Sequence, residues 1–172
     1  MGRIVLGDLH VLDDEMKPVK KGESGTLWFS SGGAFTYFND PEKTRESSSA
    51  DGTMTTVGDV GYVDDDGFLF LVDRAKDLII VSGFNVYPAE VEQVLLSHPN
   101  VEEAAVVGVP HPHTGEAVRA YVVSNGSLTV DEDAIILFCQ QHLARYKCPS
   151  KVLFVNELPT GGTGKVLRRS LH

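Results

Sequence analysis

The hydrophobic pattern of this sequence changes character near residues 73–77, and that change constrains the fold more than any single motif. Before it, β-forming runs such as RIVLGDLHVLD and SGTLWFSS stand between Gly, Asp and Lys-Pro turns. GYVDDDGFLFLVDR continues the rhythm as two short strands around Asp64, Asp65, Asp66 and Gly67, the last tolerating positive φ. DPEKTRESSSADG interrupts it with a short helix, Asp40 as N-cap and Pro41 at N1, that runs into a Ser-rich loop. Beyond the change, strand and helix patterns alternate. DLIIV is a strand, and YPAEVEQVLLSHP is a helix with Pro88 near its start, Val91, Val94 and Leu95 on one face, and a stop at Pro99. VEEAAVVGVP and GEAVRAYVV are strands joined by a His-Pro-His turn. A second helix covers 130–144, beginning near 129–131, with Ile135, Phe138 and Cys139 inward. KVLFVNELP is a last strand before a glycine-rich loop and a basic terminus. The fold class is α+β: a β-rich piece over 1–73, then an α+β domain over 74–172 whose mixed sheet is covered by helices.

Composition removes several function classes. With 172 residues and 42% apolar side chains the chain is globular, and no apolar run reaches the roughly 18–20 residues that cross a bilayer. The opening MGRIVLGDLH has no uninterrupted apolar stretch, so it does not read as a signal peptide. Cys139 and Cys148 form no CxxC and suit a reduced, cytoplasmic chain, with peripheral membrane association left open. A net charge of −9 argues against nucleic acid as a partner. The charge is uneven: residues 145–172 carry six cations against Glu157 alone, a +5 tail on a −14 remainder. That tail is either a solvated end or a surface facing a small polyanion.

Candidate motifs narrow the chemistry. GGTGK at 161–165 suggests a phosphate loop, but the Walker spacing needs Gly at 159 and Ser or Thr at 166, where this chain has Pro159 and Val166. What survives is Lys165 on a glycine loop, a point charge able to reach an anion. Asp64, Asp65 and Asp66 lack the ligand spacing of an EF-hand. His111 and His113 flank a proline with no third ligand, so no metal site is expected. Ser30, Ser31 and Ser82 show no GxSxG elbow. The string TTVGDVGYVDDDGFLFLVDRAKDLIIVSGFNVYPAEVE is more specific. It sets Asp59 in a strand-start turn, Arg74 at a strand end, and a second glycine turn, Ser82 and Gly83, before a helix. An Asp accepts from paired sugar hydroxyls and an Arg bridges sugar and phosphate, although two such residues alone equally make a surface salt bridge.

That string, with GESGTLWF, YFNDPEKT, HPNVEEAAVVGVPHPHTGEAV, LARYKCPSKVLFVNELP and TGKVLRR in order around it, resembles the adenylate-forming superfamily of acyl-CoA synthetases, luciferases and peptide-synthetase adenylation domains. The resemblance covers essentially the whole chain, and SGFNVYPAEVE is most similar to medium- and long-chain fatty acyl-CoA ligases. It implies that residues 1–73 are the β-rich end of a large N-terminal domain, part of a β-barrel subdomain, and that 74–172 form its small mobile C-terminal domain. The implied reaction joins a carboxylic acid to ATP, giving acyl-adenylate and pyrophosphate, and then to CoA, with Mg2+ accompanying ATP. The implied partners are these small molecules and the N-terminal domain of the same enzyme, without which the chain is expected to be inactive. The alternatives are another adenylating enzyme, for an aryl or small acid or a carrier protein, and a non-catalytic nucleotide-binding module.

The resemblance also implies residue roles. Asp59 holds the ribose hydroxyls of ATP and of the adenylate, and Arg74 supports the sugar and its phosphate. Lys76 is the hinge. Lys165 is the catalytic lysine of the first step, between carboxylate and α-phosphate, and lies in a Pro159-x4-Gly164-Lys165 pattern whose lysine is acetylated in several relatives. Rotation then brings in Gly83 and Asn85 beside the CoA pantetheine. Two departures stand out: Val57 lacks the hydroxyl of the Thr usual before Gly-Asp, and Gly161 replaces a common Thr, which implies a looser lysine loop.

Overall fold

A computed structural model describes residues 2–3, 7–30, 35–126, 131–162 and 164–171. Residues 4–6, Ser31, Thr129 and Thr163, on which parts of the sequence reading fall, lie outside them. The chain divides into two compact units, Met1–Lys76 and Asp77–His172. The division lies just beyond the change of pattern for a local reason. Arg74 pairs with Asp59, and the Ala75 N–H donates to the Gly58 carbonyl at 2.8 Å, so both stay with the first unit.

The first unit is an antiparallel sheet of β1 (Asp8–Leu12), β2 (Gly25–Ser30), β4 (Asp59–Val63) and β5 (Leu69–Arg74) in that order, with β3 (Met54–Thr55) beside β2. Among the described residues, Leu12, Leu27, Trp28 and Val60 are its buried apolar side chains. Gly25 and Gly61 face each other across β2 and β4, and a Cβ on Gly61 would stand 2.4 Å from the Phe70 carbonyl oxygen, so this close approach excludes any other residue. The expected helix is α1 (Pro41–Glu46), with the Asp40 carboxylate accepting the Lys43 N–H at 2.9 Å. The triple-Asp turn is built by Asp64, whose Oδ1 accepts from the amides of Asp66 and Phe68.

In the second unit β9 (Gly115–Ser124) is central. It pairs antiparallel with the whole of β8 (Val101–His111) on one side. On the other it meets β6 (Ile79–Val81) antiparallel and β10 (Lys151–Phe154) parallel, which makes the sheet mixed. β7 (Phe84–Val86) completes a hairpin with β6. Alternation along β9 sends Val118, Ala120 and Val122 to one face and Tyr121 to the other. Helices α2 (Pro88–Leu96) and α3 (Glu132–His142) cover the first face with Val91, Leu95, Ile135 and Cys139, all fully buried. Leu158 and Leu171 from the C-terminal segment cover the second.

Several boundaries differ from the sequence reading. Helix α2 ends at Leu96, three residues before Pro99, and the strand expected through Pro159 stops at Phe154. Phe138 is half-buried between the rings of His98 and His142. Strands β3 and β7 were not expected, because two or three residues are too few to show an alternation. Among the described residues no helix is long and apolar enough to cross a membrane.

Candidate functional site

Asp59 and Arg74 are partners in the register of β4 and β5, and Arg74 Nε lies 3.2 Å from Asp59 Oδ1. The turn that delivers Asp59 is held by Thr56, not by position 57. Thr56 is buried, its hydroxyl donates to the Leu27 carbonyl at 2.7 Å, and the same oxygen accepts the Gly58 N–H at 3.0 Å. Gly58 has φ +77, a left-handed conformation that glycine adopts without strain. Val57 is exposed, so the hydroxyl it lacks is supplied one residue earlier. Lys76 is exposed in the short 3-10 turn Ala75–Asp77, where the two units divide.

Gly83 and Asn85 belong to the β6–β7 hairpin of the second unit. Ser82 and Gly83 form its two-residue turn with φ of +51 and +83, both positive as a type I′ turn requires. A Cβ on Gly83 would meet nothing within 4 Å, so the turn presents bare backbone to its surroundings. Asn85 is exposed, and the exposed Phe84 ring stacks on Tyr146 at 4.8 Å. A cavity of about 410 Å³ opens beside this turn, lined among others by Ser82, His111, Thr114, Arg145, Tyr146 and Cys148. In the sequence Arg145 counts only as one cation of the basic tail, and Tyr146 and Thr114 lie in resembling blocks without roles of their own.

Lys165 stands on a turn that is tighter than its glycines imply. The Gly161 N–H donates to the Lys165 carbonyl at 2.8 Å, Gly164 N–H to Gly161 at 2.9 Å, and Leu167 N–H to Pro159 at 2.8 Å. Gly161 also packs on Leu167: a Cβ there would sit 3.3 Å from Leu167 Cδ2. The loop expected to be loose is a laddered turn, and position 161 has little room for a larger residue. The Lys165 side chain is exposed and has no ionic or hydrogen-bond partner among the described residues.

Two cations of the basic tail are used internally, so neither a solvated nor a ligand-facing end describes the whole of it. Lys147 donates to both carboxylate oxygens of Glu90 at 2.7 Å, and Arg168 engages Asp77 and Glu92. Nothing in the sequence signals these pairs, since Arg168 and Asp77 are 91 residues apart. Burial pushes the Cys139 thiol up to about 11, with the neighbouring Cys148 adding to it, and burial also raises Cys148. Among the described residues no three His, Cys, Asp or Glu side chains gather where they could hold a metal ion.

Residues 90–165 match the AMP-binding enzyme C-terminal domain. Over 166 residues the chain is 46% identical to a long-chain-fatty-acid–CoA ligase of Salmonella typhimurium, covering 96% of this chain and 29% of that protein. The crystal structure of ATP-bound MatB from Rhodopseudomonas palustris matches with a TM-score of 0.84 at 36% identity, over 99% of this chain and 34% of that one. The o-succinylbenzoate CoA synthetase of Bacillus subtilis, solved with its acyl-adenylate intermediate, matches with a TM-score of 0.81 at 34% identity, over 95% and 33%. The chain thus spans less than a third of the Salmonella relative's length.

Proposed function

Since the chain belongs to the AMP-binding, adenylate-forming enzymes, whose C-terminal domain it carries, we propose that it is the C-terminal portion of a fatty acyl-CoA ligase. The observation that carries this reading is Lys165, an exposed cation with no partner among the described residues, on a tightly bonded turn. In the first step a carboxylate oxygen of the acid attacks the α-phosphorus of ATP, and the bond to pyrophosphate breaks. Two anions must approach, and the Lys165 ammonium offsets their repulsion as charge shifts in the transition state. Asp59 receives the ribose hydroxyls, and Arg74, already aligned on the neighbouring strand, supports sugar and phosphate. Mg2+ enters as the ATP complex, held by the phosphates.

In the second step the CoA thiol attacks the acyl carbon and the bond to AMP breaks. Lys76 is the hinge between the two steps, and the bare turn at Gly83 with Asn85 receives the pantetheine arm. Arg145 and Tyr146, lining the cavity beside that turn, offer a cation and a ring face to the nucleotide end of CoA. The fatty-acid assignment rests on the SGFNVYPAEVE wording and the similarity to the Salmonella ligase. An aromatic acid is the competing class, because a relative was solved with a succinylbenzoyl adenylate.

The test uses this chain fused in place of the corresponding portion of the Salmonella ligase. Lys165→Ala should abolish ATP–pyrophosphate exchange and leave thioester formation from supplied acyl-adenylate intact. Loss of both half-reactions alike, with the fold preserved, removes the role of Lys165. The acid itself is identified by ATP–pyrophosphate exchange across fatty and aryl acids with the enzyme that carries this chain natively.

A further inference from the structure

Arg168 lies three residues after Lys165 and opens the 3-10 turn Arg168–Ser170. Its guanidinium holds two carboxylates at once. Nη1 donates to Asp77 Oδ2 at 3.0 Å, and Nη2 donates to Glu92 Oε2 at 2.8 Å and Oε1 at 3.0 Å. Nε adds a bond to Glu92 Oε1 at 3.2 Å. All three side chains are at most 24% exposed, so this is not a solvated surface pair. One of the two carboxylates is itself fixed. Glu92 stands on α2, and its Oε1 also accepts the Val106 N–H of β8 at 2.9 Å. Asp77 is the first residue of the second unit, directly after Lys76. On the far side of Arg168, Leu171 is buried against Ala105, Val107 and Tyr121.

We propose that Arg168 is a positioning residue for Lys165, locking the stem of the lysine turn to Asp77 and to α2. The proposal rests on the reading of Lys165 as the lysine of the first half-reaction. A lysine side chain has a flexible stem, so its ammonium is placed no better than its backbone is held. The turn's own bonds set its shape, and Arg168 holds the stem against the unit so that those bonds stay closed and the turn keeps its place. A misplacement of about 1 Å at a reacting centre costs on the order of 100-fold in rate. The planar fork of arginine reaches both carboxylates, which a lysine ammonium does not reproduce.

Two measurements decide this. In the 172-residue chain, Arg168→Gln should speed amide exchange at Gly161 and Leu167 about 10-fold or more, with Val118 and Val122 changed less than about twofold. In the fusion enzyme, Arg168→Gln should lower kcat for adenylate formation about 10- to 100-fold, with KM for ATP and the thioester half-reaction changed less than about threefold. Arg168→Lys should recover only a minor part of that loss. Because Arg168→Gln leaves Asp77 and Glu92 without their cation, Asp77→Asn with Arg168→Gln is the second variant, expected to lose no more than Arg168→Gln alone.

Exchange that rises across the whole unit, or equal loss in both half-reactions, makes Arg168 a general stabiliser and overturns the proposal. Loss with Lys165→Ala but none with Arg168→Gln overturns this proposal and leaves the role of Lys165 standing. Adenylation that survives Lys165→Ala overturns both.

Discussion

Thr56 shows how much a single hydroxyl can organise. It is buried, gives its proton to the β2 backbone at Leu27 and takes one from Gly58, so the turn ahead of Asp59 is pinned to the sheet. Thr56→Val removes both bonds without changing the shape of the side chain and should cost about 1–3 kcal/mol. Val57→Thr, at an exposed position, should change stability by no more than about 0.5 kcal/mol. Urea midpoints read by fluorescence compare the two, and equal effects would return the support to position 57. The sequence marks Val57 as the anomaly because a motif is compared position by position, whereas a hydroxyl one residue away can serve the same backbone. Cys139 is legible in kind, as an inward residue of its helix, yet its ionisation depends on burial. Its thiol is raised from 9.0 to about 11, so below pH 9 both folded and unfolded chains keep the proton. Above pH 9 the unfolded chain loses it first, and stability should fall as pH rises from 9 toward 11. Urea denaturation followed by circular dichroism over that range should show the fall, and Cys139→Ala, less stable throughout, should lack that part of the slope.

At the scale of elements, the regular pieces were readable where a period had length to repeat. Asp40 and Asp131 cap their helices by accepting from Lys43 and Ala134, and β8 and β9 run ten residues or more. What binds the elements to one another was not readable, because it depends on side chains far apart in sequence. Three glutamates illustrate this: Glu92, Glu116 and Glu132 accept the strand amides of Val106, Ile80 and Val152. In each case a carboxylate satisfies a backbone N–H that the sheet leaves unpaired. Glu132 also stands in the first turn of α3, where a negative charge is favoured by the helix dipole. Glu132→Ala loses both contributions and should destabilise the second unit by about 1–3 kcal/mol. Glu132→Gln keeps an acceptor and should lose less than half as much. Circular dichroism melts of the two variants test the order, and equal losses would assign the whole effect to the charge.

For the whole molecule, the two units differ in how much core each possesses. The second unit buries two apolar layers, one under α2 and α3 and one under Leu158 and Leu171. Among the described residues the first has few fully buried apolar side chains, while Phe38 is 92% and Leu71 63% exposed. A unit of that size with so small a core is marginal on its own, since small domains bury a lesser share of their surface. The change of pattern in the sequence points to two pieces, whereas their unequal cores follow only from which strands pair and which faces are covered. The sequence supplies a reporter for each. Trp28 is the one tryptophan of the chain and lies buried in the first unit. Helices α2 and α3, which dominate the helical dichroism, lie in the second. In urea, Trp28 fluorescence should therefore change at a lower concentration than the dichroism at 222 nm. The gap should narrow for Glu132→Ala, which weakens only the second unit, and widen for Thr56→Val, which weakens only the first. Coincident transitions in all three proteins would show that the units unfold as one and that the second does not outlast the first.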